Sequence, residues 1–195
     1  MANETRKSFP HRFVRGDFDL YFKGKGLDIG AGADPLSVPY GTVKAFDRAQ
    51  GDAQYLKKVK DEAYDFLYSS HCLEHLKDVP TALRHWARVV RPGGYLYIVV
   101  PDFTLYEKEQ WPSRKNLDHK QSFSTRITQR EAGRKTHWSI YSDIEPLLLT
   151  YGAELTFVQV EDQGYDHSLP PDVDQTHEGA LCQICFIAQR MDTHA

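Results

Sequence analysis

Cysteine is scarce, with three in 195 residues, and methionine scarcer still, with two. Three thiols fit no disulfide framework and suit a reducing compartment. Long apolar runs are missing: the longest, Tyr95 to Pro101, falls far short of the roughly 20 residues a spanning helix needs. Met1 to Lys7 lacks the apolar stretch of a signal peptide, so a cytoplasmic location is expected. Charge of one sign is lacking too, because the net charge is only −3, unlike a general nucleic-acid binder. Internal repeats, low-complexity segments and Pro/Gly/Ser linkers are absent, and a single domain over residues 1–195 is expected. These absences argue against membrane-spanning and disulfide-stapled secreted classes.

What is present is ordinary globular material, 41% hydrophobic and 26% charged. The charge is nevertheless unevenly spread. Residues 113–135 carry seven basic and two acidic groups, whereas residues 143–195 carry one basic and ten acidic. A net +5 over 113–135 suits either a solvated loop or an anionic partner.

Short apolar runs alternate with helical patterns, which predicts an α/β fold with a mostly parallel sheet. Leu27 to Ile29, Thr42 to Phe46 and Tyr64 to Tyr68 read as strands. Leu83, Trp86, Ala87 and Val90 recur at helical spacing, with Asp78 as the N-cap and Arg91-Pro92-Gly93-Gly94 as the stop. Tyr95 to Val100 reads as a strand buried on both faces. Residues 102–138 are polar, basic and punctuated, an insertion outside the sheet. Ser142-Asp143-Ile144-Glu145 has capping-box spacing, and Gly152 is placed to close that helix. Leu155 to Glu161 and Ala180 to Ala188 are the last strands, separated by a turn-rich 18-residue loop containing Pro170-Pro171.

The chemistry starts at Leu27-Asp28-Ile29-Gly30-Ala31-Gly32. Glycines after a strand let the backbone approach a ligand closely. Asp47 follows at the end of the next strand, where a carboxylate can accept hydrogen bonds from both hydroxyls of a ribose. A dinucleotide site would want a third glycine opening a regular helix, and Pro35 stands in the corresponding place. A nucleoside without phosphates needs no such helix, and S-adenosylmethionine (SAM) is such a ligand.

Asp28 to Gly32, Asp47, Asp52-Ala53, Tyr64 to Leu76 and Val89 to Leu96 together resemble the class I SAM-dependent methyltransferases, in particular the small "methyltransferase domain 11" group, over roughly residues 24–101. The resemblance implies a Rossmann-like, doubly wound, mostly parallel sheet with an antiparallel last strand. It implies that Gly30, Ala31 and Gly32 line the methionine part of SAM and that Asp28 orients it. Asp47 would hold the ribose, and Asp52 with the Ala53 N–H would meet the adenine. Ser70 and His71 would face the sulfonium, while Glu74 and His75 cap and pack their loop. Only Arg48 to Gly51 separate Asp47 from Asp52, so one helix–strand crossover is missing and the sheet should be trimmed at one edge.

Two other patterns compete for the same residues. His71-Cys72-Leu73-Glu74-His75 fits the inverted zinc-protease pattern, which would make a zinc hydrolase of His71 and His75, but it requires a third ligand and a regular helix. Cys182 and Cys185 have Cys-x-x-Cys spacing, but on a strand they point to opposite faces. No metal ligand set is expected, although Asp102, Asp118 and Asp174 are available should they converge.

The acceptor pocket implied by the resemblance is built from Pro101 to Glu107, Trp111 to Lys120 and the Asp166–Glu178 loop with His167 and His177. Arg114, Lys115 and Lys120 suit phosphate or carboxylate. His119, paired with Asp118 or Glu107, is the candidate general base. The expected function is methyl transfer from SAM to a small-molecule acceptor, anionic or sugar-linked, most simply a hydroxyl of a sugar, nucleotide sugar or glycan. An N-methyltransferase of small amines and a non-catalytic SAM-binding module are the alternatives. Neither a nucleic-acid nor a membrane partner is expected.

Overall fold

The computed structural model describes residues 3–126, 136–170, 172–176 and 179–192. Arg130, Arg134 and Lys135 of the basic segment, and His177 and Glu178 of the late loop, lie outside the described residues.

Six strands form one sheet in the order β2-β1-β3-β4-β8-β7. They are β1 (Gly24–Ile29), β2 (Gly41–Phe46), β3 (Tyr64–Ser70), β4 (Val90–Pro101), β7 (Ala153–Glu161) and β8 (Gln183–Arg190). Strands β1 to β4 pair in parallel, and β8 runs antiparallel to both β4 and β7. The fold is therefore the expected mixed, mostly parallel α/β sheet. β2 is an edge strand, and Asp47 closes a tight turn in which its carbonyl accepts from Gln50 and Gly51. The chain order reverses between β1 and β3, the place where open α/β sheets leave a crevice at their carboxyl ends.

Each face of the sheet is covered differently. Leu27, Ile29, Leu67, Leu96 and Ile98 pack under α4 (Val79–Val89) and α5 (Glu145–Thr150). The alternate residues Phe66, Tyr68, Tyr97, Val99 and Ile187 pack under Phe18 and Phe22, from the N-terminal region. That region folds into α1 (Glu4–Lys7), α2 (Phe9–Arg15) and α3 (Asp17–Leu20), a cover that sequence periodicity did not reveal. Arg12 is fully buried there, donating to the Tyr68 hydroxyl and the Thr5 carbonyl.

Helix α4 matches the sequence reading. Asp78 Oδ1 accepts from the Thr81 N–H at 3.0 Å, and Leu83, Trp86, Ala87 and Val90 are all buried. Each large apolar side chain so buried contributes roughly 1.5–3 kcal/mol. Trp86 also donates from Nε1 to the Ala53 carbonyl at 2.8 Å, which fixes the turn after Asp52.

Two local expectations are corrected. β4 starts at Val90 and runs through Arg91-Pro92-Gly93-Gly94, with a register shift opposite Tyr64 and Phe66, because the edge of β3 supplies pairing partners that turn residues alone do not announce. The cap of the late helix is Ser139, not Ser142: Ser139 Oγ accepts from the Ser142 N–H, and Asp143 Oδ2 accepts from the Ser139 N–H. A π-type turn over Ile140–Ile144 precedes α5 there, and Gly152 follows α5 in the left-handed conformation (φ 73°) as expected. In the insertion, β5 (Ser122–Ser124) and β6 (His137–Ser139) pair into a small separate ribbon. Among the described residues, no helix is long and apolar enough to cross a membrane.

Candidate active site

At the carboxyl ends of β1 to β3 lies a cavity of about 680 Å³, lined by Gly30, Asp47, Asp52, Ala53, His71 and Cys72 on one side and His75, Asp118 and Lys120 on the other. That volume suits a small-molecule ligand. A second cavity of about 510 Å³ shares Gly30, His71 and His75, and adds Ala31, Gly32 and Ser70 together with Glu4 and Thr5 of the N-terminal cover.

The glycine turn is built as its sequence requires. Gly30 has φ 77°, and a Cβ there would come within 2.6 Å of the Cys72 Cβ. Gly32 has φ 53°, and a Cβ there would meet only the Gly30 carbonyl, at 3.8 Å, so its backbone faces open space. Asp47 Oδ2 accepts from the Gly32 N–H at 3.1 Å, and Oδ1 accepts from the Arg48 N–H at 2.7 Å. The half-buried Asp47 carboxylate thus stands over the bare glycine backbone, the combination a ribose with two free hydroxyls fits. Asp52 Oδ1 is held by the Gln54 N–H at 2.8 Å.

Asp28 behaves differently from the other donor-side residues. It is buried beneath the turn, lines neither cavity, and accepts from the Leu36 N–H at 2.7 Å through Oδ2. It therefore shapes the glycine loop from below. Burial raises its carboxyl to about 7, with the Leu36 N–H opposing that shift. The unfolded value is near 3.9, so the folded chain holds an extra proton between the two. Stability from this group is complete below pH ~4 and is lost as pH climbs to about 7, at up to about 1.4 kcal/mol per pH unit. Asp28→Asn, which keeps an acceptor for Leu36, should flatten that slope in urea unfolding at pH 5 and pH 8. Identical slopes in parent and variant would contradict the assignment.

The insertion supplies the residues expected on the acceptor side. His119, the candidate base, is buried, and its Nδ1 lies 2.6 Å from Glu107 Oε1. Of its two expected partners it takes Glu107. Asp118 turns instead to His75 Nδ1 at 3.2 Å and to Lys120 at 3.1 Å. Asp102 caps the N–H groups of Thr104 and Leu105, and Asp174 pairs with Lys115 at 3.2 Å, so Asp102, Asp118 and Asp174 do not converge. A further groove of about 460 Å³ is lined by Glu107, Lys108, Arg114, Lys115 and Asp172. Lys120 is separate from it and lines the first cavity. His167 pairs with Asp162 on the exposed side of the late loop.

His71 closes β3 with φ 52°, an uncommon conformation for a residue with a side chain and one that concentrates at functional sites. Its Nε2 meets Gln183 Oε1 at 3.0 Å, and burial lowers its pKa. The helix that a zinc-protease pair would need is absent: a short 3₁₀ turn over Leu73–His75 follows His71. Nor does Glu74 cap its loop. Its carbonyl accepts from the Lys120 and Gln121 N–H groups, but neither carboxylate oxygen accepts from another described residue. Nothing in the local sequence signals this, because the surroundings of Glu74 include the distant insertion.

Residues 26–98 match the family described as "Methyltransferase domain". No curated protein matches the chain. Among solved structures, a chain of the Haloferax volcanii complex between the Trm112 methyltransferase activator and a provisionally named methyltransferase is 13% identical, with TM-score 0.59 over 98% of this chain and 100% of that one. A provisionally named SAM-dependent methyltransferase from Listeria monocytogenes is 15% identical, with TM-score 0.57 over 97% and 99%. A SAM-dependent methyltransferase from Aquifex aeolicus is 16% identical, with TM-score 0.54 over 95% and 92%. These likenesses show a common fold. Residues 26–98 thus match a methyltransferase domain, and the chain shares its fold with SAM-dependent methyltransferases.

Proposed function

We propose that the chain transfers the methyl group of SAM to a hydroxyl of a small anionic acceptor, of the sugar, nucleotide-sugar or glycan class. One observation carries the reading: a single cavity runs from Gly30, Asp47 and Asp52 to His75, Asp118 and Lys120, so the 102–138 insertion reaches the donor crevice. On the resemblance, the ribose would lie on Asp47 and the methionine part beside Gly30 to Gly32. SAM supplies an activated methyl group on sulfur, and the protein's task is to align the acceptor and take its proton. Alignment alone can contribute several kcal/mol.

Proton removal falls to His119. Glu107 accepts from Nδ1–H, which fixes the tautomer and leaves the Nε2 lone pair free, the arrangement of a general base with a carboxylate behind it. Asp118 acts at one remove, holding His75 against the His119 ring, whose centroid is 4.9 Å away. Arg114 and Lys115 in the neighbouring groove, and Lys120 in the cavity, supply positive charge for a phosphate or carboxylate on the acceptor. The hydroxyl reading is favoured over amine methylation by the groove beside Glu107, where Lys108, Arg114 and Lys115 outnumber Glu107 and Asp172.

Labelled-methyl transfer from SAM into pooled nucleotide sugars, glycans, amines and phenols, with products identified by mass spectrometry, tests the proposal. A methyl ether on an anionic or sugar-linked product is expected, and His119→Asn should cut its formation by about 10²–10⁴-fold. An N-methyl product alone would overturn the hydroxyl reading. SAM binding without transfer to any pool would point to a binding module.

A further inference from the structure

Three imidazoles surround the Glu74 carboxylate with their lone pairs. His75 Nε2 lies 3.7 Å from Glu74 Oε1, His119 Nε2 3.9 Å from it, and His71 Nδ1 3.7 Å from it. The tautomers follow from the opposite nitrogens. His119 Nδ1 faces Glu107 Oε1, and His75 Nδ1 faces the Asp118 carbonyl and carboxylate, all of them acceptors, so both Nδ1 atoms carry the hydrogen. Gln183 commits its amide nitrogen to Glu161 Oε2 at 2.6 Å and Ser8 Oγ at 3.0 Å, which leaves Gln183 Oε1 as acceptor and puts the His71 hydrogen on Nε2.

The three imidazole nitrogens turned toward Glu74 therefore carry lone pairs and no hydrogen. Glu74 is fully buried, and both of its oxygens lack a hydrogen bond from any other described residue. A buried carboxylate facing unprotonated imidazoles is costly unless a cation or a proton sits among them, and a metal ion would take the place of that proton. The ligand atoms of Glu74, His75 and His119 lie within 4.8 Å of one another, a group that could hold a metal ion.

We propose that Glu74, His75 and His119 bind a divalent transition-metal ion of the zinc class, with Glu107 and Asp118 as the carboxylates that orient the two histidines. Two imidazoles and one carboxylate, with a position left open, is a familiar ligand set for zinc, and imidazole ligands usually donate their other N–H to a carboxylate or carbonyl. His71 stays outside the ligand set, bound to Gln183. His75 lines the cavity and gives the ion its route in. Binding of the ion does not rest on the methyl-transfer reading. Its placement beside an acceptor hydroxyl does. In the metal-loaded chain the Nε2 lone pair of His119 would be a ligand; coordination would lower the acceptor hydroxyl's pKa, and its proton would pass to solvent water through the open cavity.

The test is titration of chelator-stripped protein with cobalt(II), followed by absorption and by metal content after gel filtration, with zinc as competitor. One saturable equivalent, a visible ligand-field band and displacement by zinc are expected. His75→Ala, at the partly exposed ligand, should weaken binding by at least about 100-fold with its circular dichroism unchanged, and Glu107→Gln by about 10–100-fold. No saturable equivalent, binding that His75→Ala leaves intact, or an infrared band showing Glu74 protonated at neutral pH in the presence of cobalt would overturn the proposal. Methyl transfer by protein that binds no cobalt fails this proposal alone. Cobalt binding without methyl transfer supports it while the methyl-transfer reading fails.

Discussion

Asp47→Ala is expected to weaken SAM binding by about two to four orders of magnitude. Each hydrogen bond to a charged group contributes about 1.5–3 kcal/mol, and two ribose hydroxyls would donate to this one carboxylate. The same side chain also accepts from the Gly32 and Arg48 N–H groups at 3.1 and 2.7 Å, so its loss loosens the glycine turn as well. Asp47→Asn should fall between parent and alanine variant, since it keeps one acceptor oxygen. Titration calorimetry reads the effect, and thermal unfolding of the ligand-free proteins separates it from misfolding. Affinity unchanged in Asp47→Ala would mean the ribose is held elsewhere.

The second large effect concerns stability. Arg15, in α2, donates to Asp17 through Nε and Nη2 at 2.9 and 2.7 Å, and to Glu161 Oε1 through Nη1 at 2.8 Å. The Asp17 and Glu161 side chains are 0% and 1% exposed, while Arg15 is 21% exposed. Arg15→Gln would strand two carboxylates away from water, and breaking a buried pair in this way costs about 3–5 kcal/mol. That is a large part of the 5–15 kcal/mol typical of a domain. Urea unfolding at pH 7 measures it, and adding Asp17→Asn to the variant should restore part of the loss. A change below about 1 kcal/mol would show that the N-terminal helices are not anchored to β7 by this pair.

The donor side was legible because its signals are local. A strand ending in glycines, a carboxylate closing the next strand, and the short Arg48–Gly51 link can each be read within a few residues, and the fold puts Gly30, Asp47 and Asp52 around one cavity. The N-terminal cover was not legible. Helices of four to seven residues are too short to show a periodic stripe, and what fixes them is the tertiary pairing of Arg12 with Tyr68 and Arg15 with Glu161. Pro92-Gly93-Gly94 read as a stop because the pairing of Val90 with Tyr64 depends on a neighbouring strand. Ser139 and Ser142 both precede the late helix, and only the Asp143–Ser139 contact selects the first as the cap. On the acceptor side, His119 and Glu107 stand within one segment, and their pairing was within reach of the sequence. Glu74 was not, because the neighbours that define its surroundings arrive from the insertion and from β8.

The central claim is that a phosphate-free adenosine compound lies across the glycine turn with its sugar on Asp47. A crystal structure with S-adenosylhomocysteine tests it most directly. The expected density places both ribose hydroxyls on the Asp47 carboxylate and the amino-acid end along Gly30 to Gly32. A crevice left empty at saturating ligand, or the nucleoside bound away from Asp47, would contradict it.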